Sequence, residues 1–237
     1  MTTPPPSRRT GGAVADREAA ILTAALAEFG RSGYADASVD DIARAAGVAK
    51  PTVYNRFGDK RSLFIRAWTT GALRSRDRVQ RAIESADPRP DDLERTLVAL
   101  GHALVECVTD EEGSAILRLQ AGERSRFPEL DETSERSRAS NLDQLAGKLA
   151  QYSARGLLRL PDPGRAASHF MALVTDGALP ASGYGTRRLT SSELDGSVRA
   201  GVETFLAAFG CTSACSRRVD PGSDVRPLVY PDDPGER

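Results

Sequence analysis

The chain has 237 residues, 40% of them hydrophobic and 27% charged, which are the proportions of a globular protein rather than a disordered or fibrous one. A formal charge of −1 excludes a uniformly basic coat for nucleic acid but leaves room for a local basic patch. No run approaches the roughly 18 consecutive apolar residues of a membrane span, and the stretch Met1 to Gly12 lacks the apolar segment of a secretory signal, so the chain is expected in the cytoplasm.

Residues 1–14 are rich in Pro and Gly and read as a flexible arm. Ile21, Leu22, Ala25, Leu26 and Phe29 then form one apolar helical stripe, with Gly30 and Gly33 expected to end it. Ser38 and Asp41 stand at capping-box spacing before Ile42, Ala43 and Ala46, and Gly47 closes this second helix. A short helix follows over Thr52–Phe57. Asp59 is placed to cap a long helix that starts at Lys60 and runs to about Ser85, where Asp87-Pro88 breaks it.

The second half repeats the pattern on a larger scale. Leu93, Leu97, Leu100 and Leu104 mark one helix, and Ile116 and Leu119 mark another that stops near Pro128. Leu142, Leu145, Leu149 and Tyr152 mark a third. Pro163 opens a fourth with Ala167, Phe170 and Val174, and Leu194 to Phe209 mark a fifth. No run alternates as a strand does. The expected fold is therefore all-α, with about nine helices. A three-helix head over 15–75 sits on a body over 76–210, and a disordered tail over 211–237 carries several prolines. The Leu194–Phe209 stripe and the Pro163–Val174 helix, both apolar and late in the chain, are the expected surfaces for pairing two copies.

The informative segment is 38–57. Two short helices are joined at Gly47, a residue that enters positive φ without steric cost. With Ile42, Val48, Val53 and Phe57 turned to the core, Lys50, Pro51, Thr52, Tyr54, Asn55 and Arg56 face elsewhere. This is the layout of a helix-turn-helix, whose second helix enters the major groove. From Arg44 to Arg78 there are nine basic residues against two acids, a local +7 in a near-neutral chain. Such a concentration is the electrostatic footprint of a DNA-binding surface. Ala49 offers no capping oxygen, and Pro51 disfavours a helical Lys50, so Lys50 is expected to start the helix itself.

The residues Ile21-Leu22, Ala24-Ala25, Phe29, Gly33, Ser38, Ile42-Ala43, Ala46-Gly47-Val48, Pro51-Thr52, Tyr54, Phe57, Lys60 and Leu63 keep a fixed spacing. Over about residues 15–75 this pattern resembles the amino-terminal signature of TetR-type (TetR/AcrR) transcriptional regulators. The resemblance implies a homodimeric repressor that binds double-stranded DNA at an inverted-repeat operator and is released by a small-molecule effector held in the body. It implies phosphate contacts for Thr52, Tyr54 and Lys60, and base-edge contacts for Lys50, Pro51 and Asn55. It places Ser38 near the DNA backbone, with Arg44 and Arg56 in the same surface. The stretch Glu123 to Leu130 is similar to a Glu-x-x-Arg-Phe-Pro-Glu-Leu motif in the bodies of one subclass, which is not tied to one ligand.

His102, Arg118, Gln120, Phe170 and Met171 are the candidates to line an effector cavity, since mostly apolar walls with a few polar groups suit a small molecule. Three cysteines and two histidines supply no metal set, and no metal or cofactor is expected. No phosphate loop, nucleophile elbow or His-Glu-x-x-His motif points to an enzyme. The competing reading is an architectural or activating DNA-binding protein without an effector. A large helical body argues against it.

Overall fold

The computed structural model describes residues 9–87, 92–183 and 185–211. Ten helical segments follow in order: α1 (Arg9–Asp36), α2 (Val39–Ala45), α3 (Lys50–Phe57), α4 (Lys60–Ser85), α5 (Leu93–Thr109), α6 (Glu111–Glu123), α7 (Glu129–Ala154), α8 (Pro163–Thr175), the four-residue α9 (Ala178–Ala181) and α10 (Ser191–Phe209). Among the described residues there is no strand, only an isolated bridge between Leu158 and Gly210. The all-α expectation holds. The arm expected over 1–14 is helical from Arg9 onward, because a helix nucleated downstream extends at the gain of about one bond per residue. Residues 1–8 of that arm, and the expected tail beyond Cys211, lie outside the described residues.

Several helix ends follow from local chemistry. The Asp59 carboxylate accepts from the Ser62 amide at 2.7 Å and caps α4. Gly47 takes φ +66° between α2 and α3, and Gly58 takes φ +82° between α3 and α4. One end differs from expectation. Gly30 does not stop α1; the chain leaves helical geometry at Gly33, with φ +74°. Gly30 instead lets α6 come close, since a Cβ there would lie 2.5 Å from the Ala115 Cβ. Helix α3 starts at Lys50 as expected, rather than at Thr52, with Ala49 before it making no side-chain cap bond and Pro51 in its first turn. An amide missing there removes no helical bond, so proline is tolerated.

Two buried clusters organise the chain. The first joins α1 to α4 with Ala115, Ile116 and Leu119 of α6, Phe127, and Leu130 of α7. The second begins at Val79 and gathers the far half of α4 with α5, α7, α8 and α10. The division falls inside α4, so this one helix belongs to both. The head is not a separate globule, because α6 completes its core: the buried Trp68 indole N–H donates to the Ile116 carbonyl at 3.1 Å.

The Glu123–Leu130 motif forms the seam between head and body. Glu123 Oε1 accepts from the Tyr34 amide at 3.1 Å, satisfying backbone freed where α1 breaks. The Phe127 ring packs on Phe64 and edge-on to Tyr34. Arg61 pairs with Glu129 at 2.6 Å and lies over the Phe127 ring.

The Leu194–Phe209 stripe of α10 turns inward, contrary to the expectation that it meets a partner, and the apolar face of α8 turns inward with it. Ala167, Phe170, Val174, Val198, Val202 and Phe205 are all buried within the chain. Burial against α5 and between the two helices consumes them.

Candidate nucleic-acid interface

Helix α3 is held by two side chains. Val53 and Phe57 are 1% and 6% exposed, four residues apart and therefore on one face. With Ile42 of α2 buried as well, α3 is fixed across the Gly47 turn against the head core. The opposite face carries Pro51, Thr52, Tyr54, Asn55 and Arg56, all exposed, and Lys50 is exposed at its start. Tyr54 is one of three large hydrophobic residues that stay exposed among those described. An aromatic side chain left in water beside amide and guanidinium donors suits a surface that meets another molecule.

Ser38 serves α2. Its Oγ accepts from the Asp41 amide at 3.3 Å, one half of the expected capping box. The other half is taken by a different helix, since Glu28 of α1 accepts from the Ser38 amide at 3.2 Å. Glu28 also accepts from Ser32 and Arg31, which locks the end of α1 to the start of α2.

Most of the basic residues sit beside acids that lie far away in sequence. Lys50 Nζ is 2.8 Å from Asp40 Oδ2, and this hydrogen bond raises the lysine's pKa above its ordinary value. Arg44 pairs with Asp41. Arg56 donates through Nε, at 2.9 Å, and through Nη2 to one oxygen of Glu18, and Arg66 reaches the other oxygen at 2.6 Å. The bond from Arg56 is the main cause holding the Glu18 carboxyl below the usual range. Farther along α4, Arg74 and Arg78 meet Glu112 of α6. Eight of the nine cations counted from Arg44 to Arg78 have a carboxylate partner within salt-bridge distance. The ninth, Lys60, donates to the Ala35 carbonyl at 2.9 Å and lies over the Tyr34 ring. The local +7 therefore overstates the field, because the fold brings Glu18, Asp40, Asp41, Glu112 and Glu129 to the same cations. Glu18 and Asp40 stand beside this candidate surface, and sequence reasoning missed them. Glu18 is 38 positions from Arg56, and no local spacing signals the contact.

The five candidate effector residues do not converge. His102 of α5 lies 3.2 Å from Asp195 of α10. Phe170 is fully buried edge-on to Phe205, with Met171 half-buried against the same cluster. Arg118 donates to the Gly185 carbonyl at 3.0 Å and to Gly30 at 3.4 Å, so it reaches toward the head. Gln120 accepts from Ser134 at 2.8 Å.

Two family models match the chain. One, for bacterial regulatory proteins of the tetR family, covers residues 21–67; the other, for the C-terminal domain of AefR-like transcriptional repressors, covers residues 95–211. The HTH-type transcriptional regulator YhgD of Bacillus subtilis is 33% identical over 85 residues, which are 36% of this chain and 44% of that protein. The regulator EthR of Mycolicibacterium smegmatis is 37% identical over 76 residues, 31% of this chain and 35% of that one. The chain thus matches less than half the length of either curated relative. Among solved structures, a TetR-family regulator from Mesorhizobium loti is similar with a TM-score of 0.72 and 29% identity, over 83% of this chain and 98% of that chain. The flavonoid-responsive regulator FrrA is similar with a TM-score of 0.59 and 27% identity over the same shares.

Proposed function

The chain belongs to the TetR family of bacterial transcriptional regulators, and we propose that it is a homodimeric repressor of an inverted-repeat operator, released by a small-molecule effector bound in its body. The observation that carries the DNA reading is the two-sidedness of α3, with Val53 and Phe57 buried and Thr52, Tyr54, Asn55 and Arg56 exposed. One such helix per chain reads one half-site, so two symmetric copies are needed for a palindrome. In this reading Thr52, Tyr54 and Lys60 meet phosphates, and Lys50, Pro51 and Asn55 meet base edges. Arg44, Arg56 and the Ser38 turn flank them.

The outward faces of α8 and α10 support pairing in a different way from the buried stripes. Gly164, Ser168 and Ala172 on α8 are exposed, as are Gly196, Ala200, Thr204, Ala207 and Ala208 on α10. Small residues along two neighbouring helices allow a second pair of helices to approach closely.

For the effector, the supporting observation is polar atoms buried in the body. Asn141 Oδ1 and Gln144 Oε1 of α7 are buried without a hydrogen-bond partner among the described residues. A ligand with donor groups would satisfy them. Its effect would travel through α6, which is bonded both to α4 and to α1, and ligand and operator would weaken one another by the same factor.

Selection from a random duplex pool tests the DNA reading. The chain should enrich an inverted repeat, and Lys50→Ala or Asn55→Ala should shift the preferred bases by about 1–3 kcal/mol per lost contact. Enrichment of a sequence without two-fold symmetry would sink it.

A further inference from the structure

We propose that Asp40 and Glu18 are specificity-determining residues of the DNA-binding surface: each holds a cation of α3 away from unselective phosphate binding. The proposal rests on the DNA-binding reading and adds a role for two acids. Non-specific affinity comes almost wholly from phosphates, so a carboxylate fixed beside each contacting cation opposes every non-specific complex. A base edge is a neutral acceptor and repels such a carboxylate far less than a phosphate does. The acids therefore tax random DNA more than the cognate site.

The two pairs differ in a way that orders their effects. The Lys50–Asp40 pair is open to solvent, with side chains 46% and 58% exposed, so DNA reaches it directly. Asp40 has no second cation partner among the described residues, and once Lys50 turns to a phosphate its charge is left facing DNA. Glu18 is recessed, its side chain 18% exposed behind Arg56 and Arg66. The Arg66 guanidinium also lies over the Phe57 ring. If Arg56 departs for DNA, Arg66 stays and still compensates Glu18. Asp40 is therefore the stronger guard.

The test compares wild type, Asp40→Asn and Glu18→Gln by fluorescence anisotropy over a salt series. The probes are a duplex selected by the wild-type protein and a scrambled duplex of equal length and composition. Asp40→Asn should tighten binding to the scrambled duplex severalfold and to the selected one much less. The salt slope on the scrambled duplex should steepen by about 0.9 for the freed lysine. Glu18→Gln should act in the same direction with smaller effect. Should Glu18→Gln lower the melting temperature, Asp40→Asn decides alone, provided its own melting temperature matches the wild type; if it does not, Asp40→Ser replaces it, and a scrambled-duplex affinity unchanged in both overturns the proposal. Equal changes on both duplexes, or no change on the scrambled one, would overturn the proposal. A wild-type chain that enriches no duplex would overturn both this proposal and the reading beneath it.

Discussion

Gly47 makes the turn between α2 and α3 possible, and its cost of replacement is conformational alone. Its φ is +66°, and a Cβ built there would meet nothing within 4 Å. Gly47→Ala should cost about 1 kcal/mol, the strain of an L-residue in the left-handed region, read as a shift of the urea midpoint. The selected DNA sequence should stay the same, since no side chain at the reading face changes. Residue-level features of this kind were legible in the sequence because their cause is local. Gly47, the Ser38 cap and the Asp59 cap each act within three or four positions. The pairing of Arg56 with Glu18 was not legible, because only the packing of α1 on α3 and α4 brings the two together. Lys50 and Asp40 are ten positions apart across a turn, and their contact depends on the angle at Gly47.

At the scale of elements, apolar periodicity located the helices but not the direction they face. The stripe of α10 is real, yet Val198, Val202 and Phe205 pack into the chain's own core. A stripe records that a face is buried and carries no label for the partner. The start of α7 was also missed: its first three turns, from Glu129, are dense in charge and show no stripe. The start of α10 is set by a full capping box, in which the Thr190 hydroxyl accepts from the Glu193 amide and the Glu193 carboxylate accepts from the Thr190 amide. Arg187 donates to the same carboxylate and is the largest cause that brings its pKa from 4.5 down to about 2. Thr190→Ala should cost about 1 kcal/mol of stability. A carboxyl with a depressed folded pKa stabilises fully above its unfolded value, and that contribution is lost as pH falls. Glu193→Gln should therefore flatten the fall in stability between pH 4.5 and about 2 relative to wild type. Denaturant melts at stepped pH measure it, and an unchanged slope would refute the assignment.

At the scale of the whole molecule, head and body share α4 and are clasped by the Glu123–Leu130 motif. Phe127 is 1% exposed between Phe64 of α4 and Tyr34 at the end of α1. Phe127→Ala should cost about 3–5 kcal/mol and loosen both helices at once, seen as faster amide exchange at the end of α1 than in α8. The motif was readable in the sequence as a family resemblance, but its work at the seam was not, since it joins residues roughly 90 positions apart.

In the proposed function, two copies of this chain place two α3 helices in successive major grooves of one duplex. Sedimentation of the protein with a single duplex selected from the random pool tests it directly. The expected result is a complex of two 25.3 kDa chains per duplex, formed in one step, with half-site centres a whole number of helical turns apart. Saturation at one chain per duplex, with full affinity retained when one half-site is scrambled, would rule out paired reading of two half-sites.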